Sequence, residues 1–413
     1  MKPKQNSPTK FILVNHLDKV GEIAVYYGFT PAKSPTIVKA DLDAAKGLAD
    51  NDFVDDETDR HARLPLGVEE KIALIRAYEE EDWASRAQPV QIYLKDPCKN
   101  SPASAKKSGC HRYADLEILG SSGPIAEASL IQAGRAMLRE EGYENVRVEI
   151  NSIGDRESIS RFSRELIAYY RKHVNDMKPE CRQLLKRGPF ELLACRDAVC
   201  KEINDHAPRS MDFLSETSRR HLEEVLEYLE ALGVPYALNN GLIGNRSYCT
   251  ETIFALVDGE AKTPDQQHVY GIGLRYNGLS KRLGMKRDIQ GIGLSLLIKS
   301  KDASLRDTLK KIKRPIASFV QLGSQSKLLC LDVIERLRLA KIPLQLSLAK
   351  DRLGAQVSSV ERYHTPYVIV IGKKEAVEKT AIVRKVDTYS QDVVPLDKLA
   401  DHMKKIEKDY WGK

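Results

Sequence analysis

The sequence predicts an α+β protein: a core with a largely antiparallel sheet and a helical insertion, followed by a smaller α/β unit. Three observations lead there. Short apolar–polar alternations bounded by turn residues occur at 90–94, 113–119, 234–239, 247–257 and 268–274, the pattern of hairpin strands. Residues 155–232, lying between them, are charged and helical in pattern. From Pro315 onward strand-like and helix-like segments alternate, which implies a mainly parallel sheet with right-handed crossovers. A chain of 413 residues holds two or three domains. The boundaries read as a core over 1–298 with its insertion at about 155–232, a basic linker over 299–314, and a last unit over 315–413.

The elements follow in order. Phe11, Leu17, Val20, Ile23, Ala24 and Tyr27 recur at helical spacing, so a helix is expected over 11–29, stopped by Gly28. Residues 41–59 hold Asp50, Asp52, Asp55, Asp56 and Asp59 with weak patterning and read as a surface loop. A helix is expected at 67–82, then a strand from Val90 to Leu94. The Ser/Pro/Lys/Gly stretch 96–109 is a loop, and Tyr113–Leu119 returns as the second strand of a long-looped hairpin. Helix 124–142 and strand 145–151 lead into the insertion, whose last helix Ser215 can open and Gly233 ends. After three further strands, the apolar run Ile289–Ile298 fits strand or helix equally. Residues 299–314 form a basic helix or linker. Then come strand 316–322, helix 324–340, strand 344–348, helix 353–364, strand 367–371, strand 380–386 and helix 395–409.

Composition narrows the function classes. Hydrophobic content of 42% and charged content of 30% fit a globular chain, and no run of 18 apolar residues suggests a membrane span. Met1–Lys10 carries no apolar signal core and seven cysteines make no disulfide framework, so a cytoplasmic location with reduced thiols is expected. Residues 299–413 hold 24 Lys and Arg against 14 Asp and Glu, a surplus of ten, on a chain whose total is +7. A polyanion partner or a merely solvated basic surface explains this equally well.

Several segments then carry a family likeness. LKRGPFELLACRD at 185–197 resembles a histidyl-tRNA synthetase segment reading roughly L-x-x-N-P-L-R-I-L-D-C-K-D. RRHLEEVLEYLEALGVPYAL at 219–238 is similar to the family helix before its first histidine signature, and IGLRYNGLSKRL at 272–283 resembles the second, A-G-G-R-Y-D-G-L. VPLDKLADHMKKI at 394–406 is similar to the end of the family's anticodon-binding domain, and 64–78 followed by 90–120 matches its substrate loop and motif 2 hairpin in order. The likeness is colinear over nearly the whole chain. It implies a class II synthetase-like core, a C-terminal anticodon-binding-type domain, a tRNA or other RNA partner there, and a homodimer formed through residues 11–40 around Pro35.

The catalytic signatures depart from that family. Adenylation needs fixed arginines, often with Mg²⁺, aimed at developing phosphate charge. The motif 2 arginine position holds Cys98-Lys99, so Lys99 is a substitute charge without a bidentate fork. The first histidine signature, R-G-L-D-Y-Y-T in the family, reads Gly244-Asn-Arg-Ser-Tyr-Cys-Thr250, with Arg246 as the nearby substitute. Motif 3, G-L-E-R-L in the family, reads Gly293-Leu-Ser-Leu-Leu297, which puts Leu296 at the arginine position. Glu117 stands where the family's carboxylate meets an amino group, and Tyr248, Arg275 and Tyr276 persist as substrate-pocket candidates; without the resemblance each is an ordinary paired or core residue.

In the last unit Lys350, Arg352, Gln356 and Arg362 follow a strand end and are candidates for RNA contact, against the plainer reading of a solvated helix start. Cys195-x4-Cys200, Cys98 and Cys110 lack paired C-x2-C spacing, so no metal site is expected from spacing. Gly271-x-Gly273 with Gly278 sits in no βαβ unit, and neither a phosphate loop nor a G-x-S-x-G turn occurs. Three functions remain open. The first is an RNA-binding synthetase relative with lost or weakened adenylation. The second is an active divergent histidine–tRNA ligase that uses ATP and Mg²⁺. The third is a regulatory subunit of an ATP phosphoribosyltransferase, although such relatives usually lack the anticodon-binding domain.

Overall fold

The computed structural model describes residues 11–14, 19–48, 67–86, 88–95, 111–193, 195, 197–244, 247–261, 267–299, 310–346, 356 and 364–412. The chain opens with β1 (Phe11–Val14), α1 (Lys19–Tyr26), β2 (Thr30–Ala32), α2 (Lys39–Leu48) and α3 (Val68–Glu80). A hairpin of β3 (Val90–Lys95) and β4 (His111–Leu119) is followed by α4 (Ile125–Glu140) and β5 (Val146–Gly154). The insertion is α5 (Arg156–Lys172), α6 (Pro179–Arg187), α7 (Pro189–Leu193), α8 (Ala198–Asp205) and α9 (Glu216–Ala231). The core closes with β6 (Tyr236–Leu238), β7 (Thr250–Asp258), β8 (Val269–Arg275), α10 (Leu279–Arg282) and β9 (Gly291–Lys299). Beyond it lie β10 (Lys310–Lys313), β11 (Ala317–Gln321), α11 (Ser324–Leu339), β12 (Leu344–Gln345), β13 (Tyr367–Ile371), α12 (Lys373–Glu378), β14 (Thr380–Lys385), β15 (Gln391–Pro395) and α13 (Leu399–Trp411).

The strands form an eight-stranded sheet in the order β2-β3-β4-β9-β8-β7-β5-β6. Its interior pairs are antiparallel, and only the edge pairs β2–β3 and β5–β6 run parallel. A second sheet, β12-β11-β13-β14-β15, is parallel around β11 and antiparallel from β13 on. The α+β core and the smaller α/β unit expected from the pattern are both present.

Alternation assigns the two faces of the large sheet. Ala114, Leu116, Ile118, Ile292, Leu294, Leu296, Phe254 and Leu256 point to one side, under α1, α4 and α9, and continue into Phe319, Leu331, Ile334 and Ile369 of the second sheet's layer. Each such Leu, Ile or Phe contributes roughly 1.5–3 kcal/mol by leaving water. Ile92, Leu94 and Leu119 point to the other side, with Ile72, Leu74 and Ile75 of α3 and with Tyr248 and Tyr276. Polar ties join the two units: Tyr27 Oη donates to Glu335 Oε2 at 2.5 Å, and Gln132 Nε2 to the Leu331 carbonyl at 3.0 Å. Ser215 caps α9 by accepting from Ser218 N at 3.2 Å, and Gly233 follows that helix at φ 60°.

Three expectations are corrected. Residues 11–14 form a strand, not the start of a helix, because Phe-Ile-Leu-Val pairs antiparallel with Lys310–Lys313; α1 begins only at Lys19. Residues 41–48 are helical, not loop. Asp41, 2% exposed, accepts from Val38 N at 2.9 Å and from Arg76 of α3 at 3.0 Å, anchoring α2 against its neighbour. Residues 310–313 are strand, so the basic linker does not run to 314. The ambiguous run near Ile289 is the strand β9. The loops at 50–59 and 96–109 and most of the helix expected at 353–364 lie outside the described residues.

Candidate functional site

Asp115 and Glu117 sit two residues apart on β4 and so share one face of the sheet, opposite Ser295 and Gly293 of β9. That face is roofed by α3. Along α3, Val68, Lys71, Ile75 and Tyr78 form one buried stripe, and Lys71 is its one charged member. Its ammonium is ion-paired with Glu117 Oε1, and both groups are buried. Tyr276, just past β8, donates its hydroxyl to Glu117 Oε2 at 2.5 Å, and its ring lies 5.0 Å from Lys71 Nζ. Ser295 Oγ donates to Asp115 Oδ1 at 2.6 Å.

The electrostatics of this cluster are those of groups paired mainly with one another, with Asp115 Oδ2 left without a hydrogen-bond partner among the described residues. Burial alone would discharge Lys71, but the Glu117 and Asp115 carboxyls outweigh it and raise the lysine pKa. Burial, then Glu117, drives the Asp115 carboxyl well above the usual carboxylate range. Burial and Glu117 likewise keep the Tyr276 phenol protonated as a donor. Glu117 therefore has one oxygen on an ammonium and the other on a phenol. Space is equally filled: a Cβ at Gly293 would overlap the Glu117 carboxylate, and one at Gly291 the Tyr276 ring.

The opposite face carries a second polar set. Arg275, 0% exposed, gives Nε and Nη2 to Glu127 of α4 at 2.7 and 2.6 Å, and its remaining donors reach the Ser121 and Gly123 carbonyls at 2.7 and 3.2 Å. His221 Nε2 of α9 lies 2.7 Å from Glu127 Oε1. Burial opposes ionisation of Glu127, but Arg275 and His221 hold its pKa down to about 2. From Ser218, one turn before His221, a hydroxyl reaches Glu251 Oε1 at 3.1 Å. This set fastens the insertion's last helix and α4 to the sheet.

Comparison with known proteins bears on this arrangement. Residues 317–406 match the anticodon binding domain family. The histidine–tRNA ligase of Halothermothrix orenii is 28% identical over 402 residues, covering 94% of each chain. That of Symbiobacterium thermophilum is 26% identical over 402 residues, covering 94% of this chain and 92% of its own. The chain is thus similar to histidine–tRNA ligases along most of its length and carries an anticodon-binding-type domain at 317–406. Among solved structures, apo histidyl-tRNA synthetase of S. aureus aligns with a TM-score of 0.49 at 21% identity, covering 93% of each chain.

In this histidyl-tRNA synthetase-like chain the structure brings Glu117 and Tyr276 together, with Tyr248 buried in the same apolar cluster. It does not bring Arg275 there; strand alternation turns that side chain to the α4 face. Lys99 and Arg246 lie outside the described residues. Gly244 packs on Cys249, where a Cβ would come within 2.6 Å of Sγ, so any side chain at that signature position would have to displace Cys249. Leu296 points into the helix-covered core, on the face away from Glu117, so an arginine at that register would not reach the cluster. In the C-terminal unit Gln356 is 1% exposed and bonded to the Gln321 backbone at both ends of its amide, 3.0 Å from N and 2.7 Å to O. It braces β11 and does not face solvent for RNA contact; Lys350, Arg352 and Arg362 are outside the described residues.

Sequence reasoning passed over Lys71, Asp115, Glu127 and His221. A signal existed for Lys71, since a lysine within the apolar stripe of α3 must find a buried anion. None existed for Glu127, whose partners are 94 and 148 residues away.

Proposed function

We propose that this chain binds tRNA through its anticodon-binding-type domain and has lost or weakened histidine adenylation. One observation carries the reading: the carboxylate that the resemblance assigns to a substrate's amino group is already occupied by the chain's own ammonium, Lys71. A substrate amine would have to displace a buried ion pair, and separating such a pair costs about 3–5 kcal/mol. The signature positions at Gly244 and Leu296 offer no cation to a triphosphate in compensation. Support for the RNA half comes from the match over 317–406 and from relatives named as histidine–tRNA ligases.

The test has two arms. Histidine-dependent ATP–pyrophosphate exchange at high enzyme concentration should be absent, and calorimetric titration with ATP and Mg²⁺, with and without histidine, should show no tight binding. A tRNA retention assay at moderate salt should show binding. Clear histidine-dependent turnover would overturn the first half in favour of an active divergent ligase, with Lys99 and Arg246 serving in place of the missing arginines. Absence of RNA binding would overturn the second half.

A further inference from the structure

The helical insertion contains a cluster that the site above does not use. Among the described residues, Phe162, Leu166, Tyr170, Met177, Phe190, Leu192 and Ile203 are its buried apolar side chains besides the cysteines, with a rim of partly buried ones such as Leu184, Leu193 and Phe213. Into it three thiols converge from three segments, Cys181 on α6, Cys195 in the turn after α7, and Cys200 on α8. Their sulfurs all lie within 4.8 Å of one another, and Cys181 Sγ and Cys195 Sγ are 3.8 Å apart. Cys181 and Cys200 are buried, while Cys195 is half-buried at the edge.

These distances exclude a formed disulfide and are compatible both with thiol–thiol hydrogen bonding and with shared ligation of one ion. A disulfide needs its sulfurs about 2.05 Å apart. A tetrahedral zinc ion with Zn–S bonds of about 2.3 Å holds sulfurs about 3.8 Å apart. Burial raises the Cys181 and Cys200 thiols, so without a metal they are protonated and poor nucleophiles. Nor does Asp197, which caps α8, complete the set: its carboxylate is engaged by Lys178 and by Val199 N at 3.1 Å.

We infer that Cys181, Cys195 and Cys200 form a zinc site that staples α6, the turn after α7 and α8 into one unit. Binding exchanges the thiol protons for the ion and releases them to solvent. Zinc takes three thiolates from the chain, and its fourth position is filled by a solvent molecule on the side of half-buried Cys195. The role follows from the local packing: α6, α7 and α8 are short helices of nine, five and eight residues, and an ion that ties their three segments together adds to what the apolar cluster against α5 supplies. The C-x13-C-x4-C spacing hides this in the sequence, because only the packing of α6 on α7 and of α7 on α8 brings the three thiols together.

The experiment uses the full chain, purified reduced, stripped with chelator, and titrated with Co²⁺ and then Zn²⁺. Expected are thiolate-to-cobalt charge-transfer bands that an equimolar amount of zinc abolishes, one retained zinc per chain after dialysis, and a thermal transition that rises when zinc is added. Cys195→Ser, at the least buried position, should lose the bands, the retained zinc and the thermal shift. A Cys98→Ser/Cys110→Ser chain should keep all three, which excludes those two thiols. The parent chain's cobalt spectrum reads the site without any variant. Absence of charge-transfer bands in the reduced parent, or zinc retained equally by Cys195→Ser, would overturn the assignment.

Discussion

Lys71 shows how one side chain redefines a site. A buried lysine either discharges or finds an anion, and here Glu117 and Asp115 keep it charged. Once paired, the lysine and Glu117 depend on each other. Lys71→Met preserves volume but leaves Glu117 as a buried carboxylate with only the Tyr276 hydroxyl. The variant should be destabilised by about 3–5 kcal/mol in urea unfolding. Adding Glu117→Gln removes the stranded charge, and the double variant should recover more than half of that loss. A Lys71→Met chain within about 1 kcal/mol of the parent would show that the pair is not closed, and the site would be free to take a substrate amine.

At the scale of elements, β9 decides what the sheet can hold. Its inward face toward α3 reads Gly291, Gly293, Ser295, and the two glycines leave room for the Tyr276 ring and the Glu117 carboxylate. Gly293→Ala would push the carboxylate off Lys71 or bend the strand. Overpacking of this kind costs about 1–3 kcal/mol, and loss of the ion pair adds to it, so a destabilisation of at least about 2 kcal/mol is expected by denaturant titration. Stability within about 0.5 kcal/mol of the parent would mean that Glu117 is not fixed where the structure puts it. The same strand measures what the sequence disclosed. Its neighbours β3, β4, β7 and β8 were legible because each alternates apolar and polar residues or ends on a turn glycine. The run through β9 was ambiguous because both its faces are covered, which erases the alternation. β1 was misread for another reason: its partner β10 lies some 300 residues away, and local spacing cannot register a distant edge. Glu117 and Tyr276 were found through the family likeness. Lys71 was within reach of periodicity alone, whereas Arg275 was placed on the wrong side, because Arg275 and Tyr276 are adjacent in sequence and point to opposite faces of the sheet.

Across the whole molecule, charge is divided as the architecture is. The residues from 299 on carry a surplus of ten positive charges, while the preceding 298 hold 41 Lys and Arg against 44 Asp and Glu. Attraction to RNA should therefore act at one end. Lys373 and Lys374 of α12 and Lys404, Lys405 and Lys408 of α13 are all exposed there and contribute to that field. Binding through such charges releases counterions, with a salt slope of about 0.7–0.9 per phosphate neutralised. For about three to four phosphate contacts, raising monovalent salt from about 50 to 200 mM should weaken tRNA binding on the order of thirtyfold. Lys404→Glu/Lys405→Glu lowers the surplus from ten to six, and the Debye length of about 8–10 Å keeps this change local to the C-terminal unit. The double variant should bind tRNA several-fold more weakly at low salt and show a shallower slope, with the core's unfolding midpoint unchanged. A charge-neutral shape fit would give a flat salt response and no effect of the reversal. Binding that weakens instead when acidic-to-basic changes are made in the first 298 residues would move the RNA surface onto the core and detach it from the anticodon-binding-type unit.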